Sequence, residues 1–447
     1  MIKQNLFRYG NLPSTPQFFG RKQELNQIED AFIKFRRFVI TGIDGQGKTS
    51  LAIEVARKSK RKICFIDYVA GSSINAIDLA VKTLADVLDS HVVAKGIAEA
   101  TEVLNEIPTL LIFDNVESIQ SQQQFEDLLN LARQWSEVGE CRVLITTKTI
   151  DFKYYDTEYK KLSLTGLIEK DAIEYFQHIW KLSNDLSPPK SSELLELFKL
   201  INFHPLLITM LAKPLQTIQP LVLKENLWTL LTVKNQADQL WLILNFILKG
   251  LEIKVQKTGL SYWLAKILRI DLNTKLTINS TTLSLLPRLG VFQNGVFEPD
   301  LLEITDITRK QWFILSTVLR EIGLIQFENL PLFRVPYIKF HPILAPTLWS
   351  HIAEERKKVF SDYQQRYAQL SAYMSYEEGK NTDQVRNLIR RDFSNLIYAV
   401  SNALDAKETW APQFVTNLSL YLTVFGFEKD KEFLTQIAED VLKKLKK

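Results

Sequence analysis

The stretch VITGIDGQGKTSLAIEVA, Val39 to Ala56, restricts the fold of this chain more than any other. It fits the pattern G-x-x-x-x-G-K-[ST] with Gly42, Gly47, Lys48 and Thr49, between a β-rich apolar run and a segment of helical spacing. Glycines there let backbone N–H groups turn inward around phosphate oxygens, and the following helix aims its positive end at the same anion. Lys48 is placed to reach β and γ phosphates, and the Thr49 hydroxyl to bind Mg²⁺. Gly45 and Ser50 are the remaining expected nucleotide contacts of this loop. The alternative, a glycine-rich turn with a solvated lysine, does not explain why strand, loop, lysine, hydroxyl and helix fall in this order.

The surrounding pattern is that of an α/β domain. Apolar runs at RFVITGI, KICFIDY, TLLIFDN, CRVLITTK and KKLSL alternate with segments such as QQFEDLLNLARQWSE, which predicts a parallel sheet covered on both faces. From residue 166 helical spacing takes over, in IEKDAIEYFQHIWKL and then SELLELFKLINFHPLLITMLA. Between 275 and 350 short helices precede a β-like pair, GLIQFENL and LFRVPYIKF, with a turn around Pro331, a pattern compatible with a winged helix. Beyond His351 the chain is helical again and has the look of a starting repeat array.

TLLIFDNVE, Thr109 to Glu117, carries the second element of chemistry. It places Asp114 at the C-terminal edge of a buried strand, where α/β sheets bind ligands, and makes Asp114 the natural Mg²⁺ partner. Hydrolysis also needs a group that orients or deprotonates water. Asn115 is an amide and takes no proton. Glu117 is either that base or a solvated loop acid, and Lys148, closing VLITTK, is either a γ-phosphate sensor or a surface lysine.

With 447 residues the chain is too long for one ordinary core. A formal charge of +4 argues for neither nucleic acid nor membrane. The basic clusters ARKSKRK and VLKKLKK sit at helix ends, where cations complement the dipole. Cys64 and Cys141 lie inside apolar runs and form no disulfide framework, and the first residues lack a signal-peptide centre, so the cytoplasm is the expected compartment. Among five histidines and two cysteines no pair has metal-ligand spacing.

FFGRKQEL, GIDGQGKTS, LLIFDNVE, VLITTK, FHPLLITMLA and YIKFHPILAPTLW occur in the order found in STAND-class P-loop NTPases. The chain resembles their NB-ARC-like branch, and bacterial proteins that join such a module to tetratricopeptide-like helices. The resemblance implies that the backbone near Phe19 and the side chain of Arg21 hold adenine, that Pro205 caps the base, and that His341 of a winged-helix domain touches the β-phosphate of ADP. Two departures, Asn115 for a second acid and Lys148 for an arginine, imply slow turnover, and Pro342 stands where an aspartate usually follows the histidine.

The resulting expectation has five parts: an N-terminal lead (1–17), a P-loop nucleotide-binding domain (18–165), a helical domain (166–228), linker helices with a winged-helix domain (229–350), and a tetratricopeptide-like helical segment (351–447). The expected function is an ATP/ADP-binding switch with Mg²⁺, closed with ADP and opened or oligomerised by ATP and a trigger at the C-terminal helices. It would be a slow ATPase acting on an effector in trans, since fewer than twenty residues precede FFGRKQEL. The rivals are a constitutive AAA-like ATPase working on a client and a nucleotide-sensing winged-helix transcription regulator.

Overall fold

Apolar runs rich in Val, Ile, Leu and Phe pair side by side because their residues are buried on both faces. The computed structural model describes residues 11–13, 17–68, 75–90, 92–119, 121–148, 159–183, 187–231, 239–250, 252–253, 276–330, 333, 335–352 and 355–445. In chain order come α1 (Lys22–Lys34), β1 (Arg37–Thr41), α2 (Lys48–Lys58), β2 (Lys62–Asp67), α3 (Ala76–Leu88), α4 (Ile97–Glu106), β3 (Thr109–Asp114), α5 (Gln122–Glu137), β4 (Arg142–Thr147) and β5 (Lys160–Ser163). The five strands are those expected, all parallel, in the order β2-β3-β4-β1-β5. One core layer joins Val39, Ile66, Phe113 and Ile145 to Leu84 of α3 and Trp135 of α5. The other joins Ile40, Ile112 and Leu144 to Ile28 of α1 and Leu51 of α2. Alternate residues of each strand thus serve opposite faces.

Register decides which side chains meet. Asp67 lies opposite Asp114, and Thr41 opposite Thr147. The C-terminal ends of β1 to β4 therefore form one edge, and β4 brings its tip between the loop after β1 and the carboxylate ending β3.

The chain divides into two compact units, one of Met1–Thr165 with Tyr367–Lys447 and one of Gly166–Arg366. The second contains α6 (Glu169–Ser183), α7 (Ser191–Leu200), α8 (Pro205–Ala212), α9 (Pro220–Leu231), α10 (Gln239–Gly250), a short antiparallel pair β6 (Glu252–Ile253) and β7 (Leu276–Thr277), and α11 (Ser280–Ser284). It continues with β8 (Gly295–Phe297), α12 (Glu298–Thr305), α13 (Arg309–Glu321), β9 (Ile325–Glu328), β10 (Tyr337–Phe340) and α14 (Leu344–Trp349). Left-handed Asn202 and Phe203, φ 50° and 53°, separate α7 from α8, and His204 caps α8 by accepting the Leu207 N–H at 3.4 Å. β9 and β10 pair antiparallel as expected, while β8 adds a third strand that the sequence pattern did not show. The turn expected around Pro331 lies outside the described residues.

Four helices close the chain: α15 (Arg356–Glu377), α16 (Thr382–Asp405), α17 (Ala411–Val424) and α18 (Glu428–Leu445). Their part of the first unit packs on α3. Asp430 Oδ1 accepts the Asn75 N–H at 2.8 Å, and Lys429 pairs with Asp78 at 2.8 Å. Asp67, Lys82, Arg390, Phe393 and Phe427 line a cavity of about 230 Å³ beside this seam. Among the described residues no helix is long and apolar enough to cross a membrane.

Candidate functional site: the phosphate loop and its carboxylate

The loop between β1 and α2 departs from ordinary backbone where its glycines stand. Gly47 has φ 88°, a left-handed conformation that an L side chain adopts only with strain. At Gly42 a Cβ would come within 2.7 Å of Gln46 Oε1 and 3.1 Å of the Leu164 carbonyl, so a methyl would fill the cradle. Lys48 opens α2, is 6% exposed, and donates to the Gly42 carbonyl at 2.8 Å and the Ile43 carbonyl at 3.4 Å. Thr49 and Ser50 follow in the first turn of that helix, at the end that attracts anions.

Across the sheet edge the Thr49 hydroxyl lies 3.0 and 2.8 Å from the two oxygens of Asp114. Thr146, from β4, donates to Asp114 Oδ1 at 2.5 Å and accepts the Asn115 N–H at 3.0 Å. The Asn115 amide donates to Asp67 Oδ1 at 2.9 Å and to Asp114 Oδ2 at 3.2 Å. A helix-opening Lys-Thr pair thus faces a buried strand-end carboxylate across a parallel sheet. This is a P-loop NTPase fold.

Electrostatics of this sheet edge centre on Asp114. Burial raises its carboxyl to about 7, the neighbouring Asp67 charge pushes the same way, and the hydroxyls of Thr146 and Thr49 oppose both. Burial also raises Glu117, whose field includes Lys48 and Lys148, which lower it, and Asp44, which raises it. The fit to a magnesium nucleotide rests on the donor set and on buried oxygens. Gln46 Oε1, Glu117 Oε2 and Thr147 Oγ1 are buried with no hydrogen-bond partner, and all three belong to the segments that form this edge of the sheet. Hydroxyl and carboxylate oxygens are the ligands a hard cation takes, so Thr49 and Asp114 are the residues that would hold Mg²⁺. The ion would supply charge neutralisation for the phosphates.

Lys148, at the tip of β4, pairs with Asp44 at 2.6 Å. Arg21 is left-handed at φ 54° and 4% exposed; it donates to the carbonyls of Gln46 at 3.0 Å and Thr165 at 2.7 Å and pairs with Glu24 at 2.9 Å. Its guanidinium therefore braces the back of the loop whatever else it does. Phe19 is half-buried immediately before left-handed Gly20 and Arg21. Pro205 and His341 belong to the second unit. Pro205 occupies the first turn of α8. His341 follows β10, donates its own N–H to the Leu324 carbonyl at 2.9 Å, and accepts the Ile343 N–H on Nδ1 at 3.3 Å.

Sequence reasoning missed Thr146, Asp67, Gln46 and Asp44. Asp67 ends the apolar run KICFID much as Asp114 ends TLLIFD, a signal that was there to use. Gln46 and Asp44 sit at variable positions of the motif and carried none.

No protein-family model matches the chain, and no curated protein matches its sequence. Among solved structures it is similar to the Signal Transduction ATPase with Numerous Domains (STAND) protein with a tetratricopeptide repeat sensor from Pyrococcus horikoshii. That match has 13% identity and a TM-score of 0.44, and covers 98% of this chain but only 66% of the other. It is also similar to a Walker-type ATPase of Pyrococcus abyssi, at 14% identity and TM-score 0.37 over 75% of this chain and 99% of that one. A third match is Cdc6p from Pyrobaculum aerophilum, at 12% identity and TM-score 0.35 over 78% and 97%. Likeness at this level leaves the functional argument with the residues of this chain.

Proposed function

We propose that the chain is a STAND-type switch gated by ATP and ADP, in which slow hydrolysis resets a nucleotide-dependent state. The observation that carries the nucleotide site is the Thr49 hydroxyl within 3.0 Å of both Asp114 oxygens, although the residues stand 65 apart in sequence. Slowness is supported by Asn115, whose amide is engaged with Asp67 and Asp114 and accepts no proton from water. In this reading α12, α13 and the β9–β10 hairpin belong to a winged-helix domain. His341 accepts on Nδ1, which assigns the proton to Nε2, the tautomer able to donate to a phosphate. The C-terminal helices receive a protein or small-molecule trigger, ATP favours homo-oligomers, and the effector is a separate protein.

One observation favours a second reading. The buried, partnerless Oε2 of Glu117, on a carboxyl raised by burial, suits a general base and hence a steadily working ATPase. Turnover separates the two. The switch predicts ADP copurifying with the protein, phosphate release well below the ~10 s⁻¹ median of enzymes, and loss of the residual rate in Asp114→Ala. Lys48→Ala should weaken nucleotide binding by at least about tenfold, since hydrogen bonds to charged groups are worth ~1.5–3 kcal/mol. Release of tens of phosphates per second without a partner would decide for the working ATPase.

A further inference from the structure

One residue of the phosphate loop runs against its chemistry. Asp44 puts a carboxylate at the crown of a loop whose amides and lysine attract anions. Its Oδ2 lies 2.6 Å from Lys148 Nζ and its Oδ1 3.7 Å from Lys48 Nζ. One carboxylate therefore spans two lysines from different elements, one opening α2 and one at the tip of β4. Lys48 is held further by the Gly42 and Ile43 carbonyls. Glu117 lies within the field of all three charged groups.

We infer that Asp44 is a specificity residue which competes with the γ-phosphate for Lys48 and Lys148 and so biases the site towards the diphosphate. The inference rests on the nucleotide reading above and deepens it. A nucleoside diphosphate uses the amide cradle and helix end and leaves the Asp44–Lys148 pair intact. A triphosphate brings a further group of negative charge that seeks the same two cations. It must displace Asp44 from them and then keep company with a like charge. Either nucleotide draws Lys48 to its β-phosphate, but the cost of breaking the closer Asp44–Lys148 pair falls on the triphosphate alone, which makes Asp44 a discriminator and not a general weakener of binding. The carboxylate is 29% exposed and Lys148 44%, so water screens the pair and the bias is moderate.

Calorimetric titration of the whole chain with MgADP and with a magnesium complex of a non-hydrolysable ATP analogue tests the idea, using wild type, Asp44→Asn, Lys148→Met and the double variant. Asp44→Asn should leave ADP affinity within about twofold and strengthen the triphosphate analogue about three- to fivefold, the scale of one partly screened charge contact. With Lys148→Met the effect of Asp44→Asn should shrink, because the closer of the two lysines competed for has gone. Equal changes for both nucleotides, or no change, would overturn the role of Asp44 while leaving the nucleotide site standing. If wild type binds neither nucleotide, the P-loop reading fails first and takes this inference with it. A second substitution, Asp44→Ser, guards against an effect peculiar to asparagine, and a shift in Asp44→Asn alone would also count against the proposal.

Discussion

At Asp114 burial and hydrogen bonding pull one carboxyl in opposite directions, and burial wins. Its pKa of about 7 stands above the ordinary 3.8, so between about pH 4 and 7 the folded chain holds a proton that the unfolded chain has released. By linkage, stability falls as pH rises through that window and levels off above it. The same holds for Asp430, raised to about 7 by burial and by Asp78 against the pull of the Asn75 N–H. In EDTA the urea midpoint of the wild type should therefore drop between pH 5 and pH 8. Asp114→Asn should remove a visible share of that drop while leaving pH 5 stability nearly unchanged. A wild-type midpoint that climbs over this range would mean the carboxyl is held ionised by contacts stronger than its burial.

Among elements, α18 shows how a helix end is fixed by a residue far away. Asp430 stands in its first turn and gives one oxygen to the Asn75 N–H, ahead of α3, while its other oxygen is buried without a partner. Asp430→Ala deletes the acceptor and leaves that N–H unsatisfied. Hydrogen exchange should accelerate in the first turn of α3 and throughout α18, with β1 and β3 unchanged; uniform acceleration would show that the seam does not open on its own. Strands β1 to β4 were legible in the sequence because strands buried on both faces leave unbroken apolar runs. β8 was not, since three residues, Gly295–Phe297, make too short a run. The grip and Asp114 were legible because their signals are local. Thr146 and the Asn115–Asp67 bond were not, because they depend on register between segments 32 and 48 residues apart. The break before α8 was half visible: Pro205 marks a helix start, but nothing marks Asn202 and Phe203 as left-handed.

For the whole molecule, two compact units predict two thermal transitions and not one. The first buries Trp135 and Phe113, the second Phe176, Phe198 and Leu315. A ligand that binds only the native P-loop stabilises the unit that contains it, by ~2.7 kcal/mol at a hundredfold excess over Kd. In calorimetry, MgADP should therefore raise the transition of the P-loop unit by several degrees and, where His341 donates to the bound phosphate as proposed, the other by less. A single transition shifted as a whole would mean that the units unfold together.

The seam between Asn75 and Asp430 joins positions 355 residues apart, with the whole of the second unit threaded between them. During synthesis at ~5–20 residues per second, that separation amounts to tens of seconds. Helices and short strand pairs form in microseconds. The parallel sheet thus has all its strands long before α18 leaves the ribosome, and α3 waits meanwhile with the face that the tail will cover. Once the tail exists, closing so long a loop costs little more than closing one half its length, because the entropy grows only with the logarithm. What distinguishes the chain's own tail from that of a neighbouring copy during this interval is proximity alone, since both offer α3 the same contacts. On crowded polysomes, exchange of these helices between nascent copies becomes a competing route, and the contact that ties α3 to α18 within one chain is equally a way to tie two chains into a swapped pair.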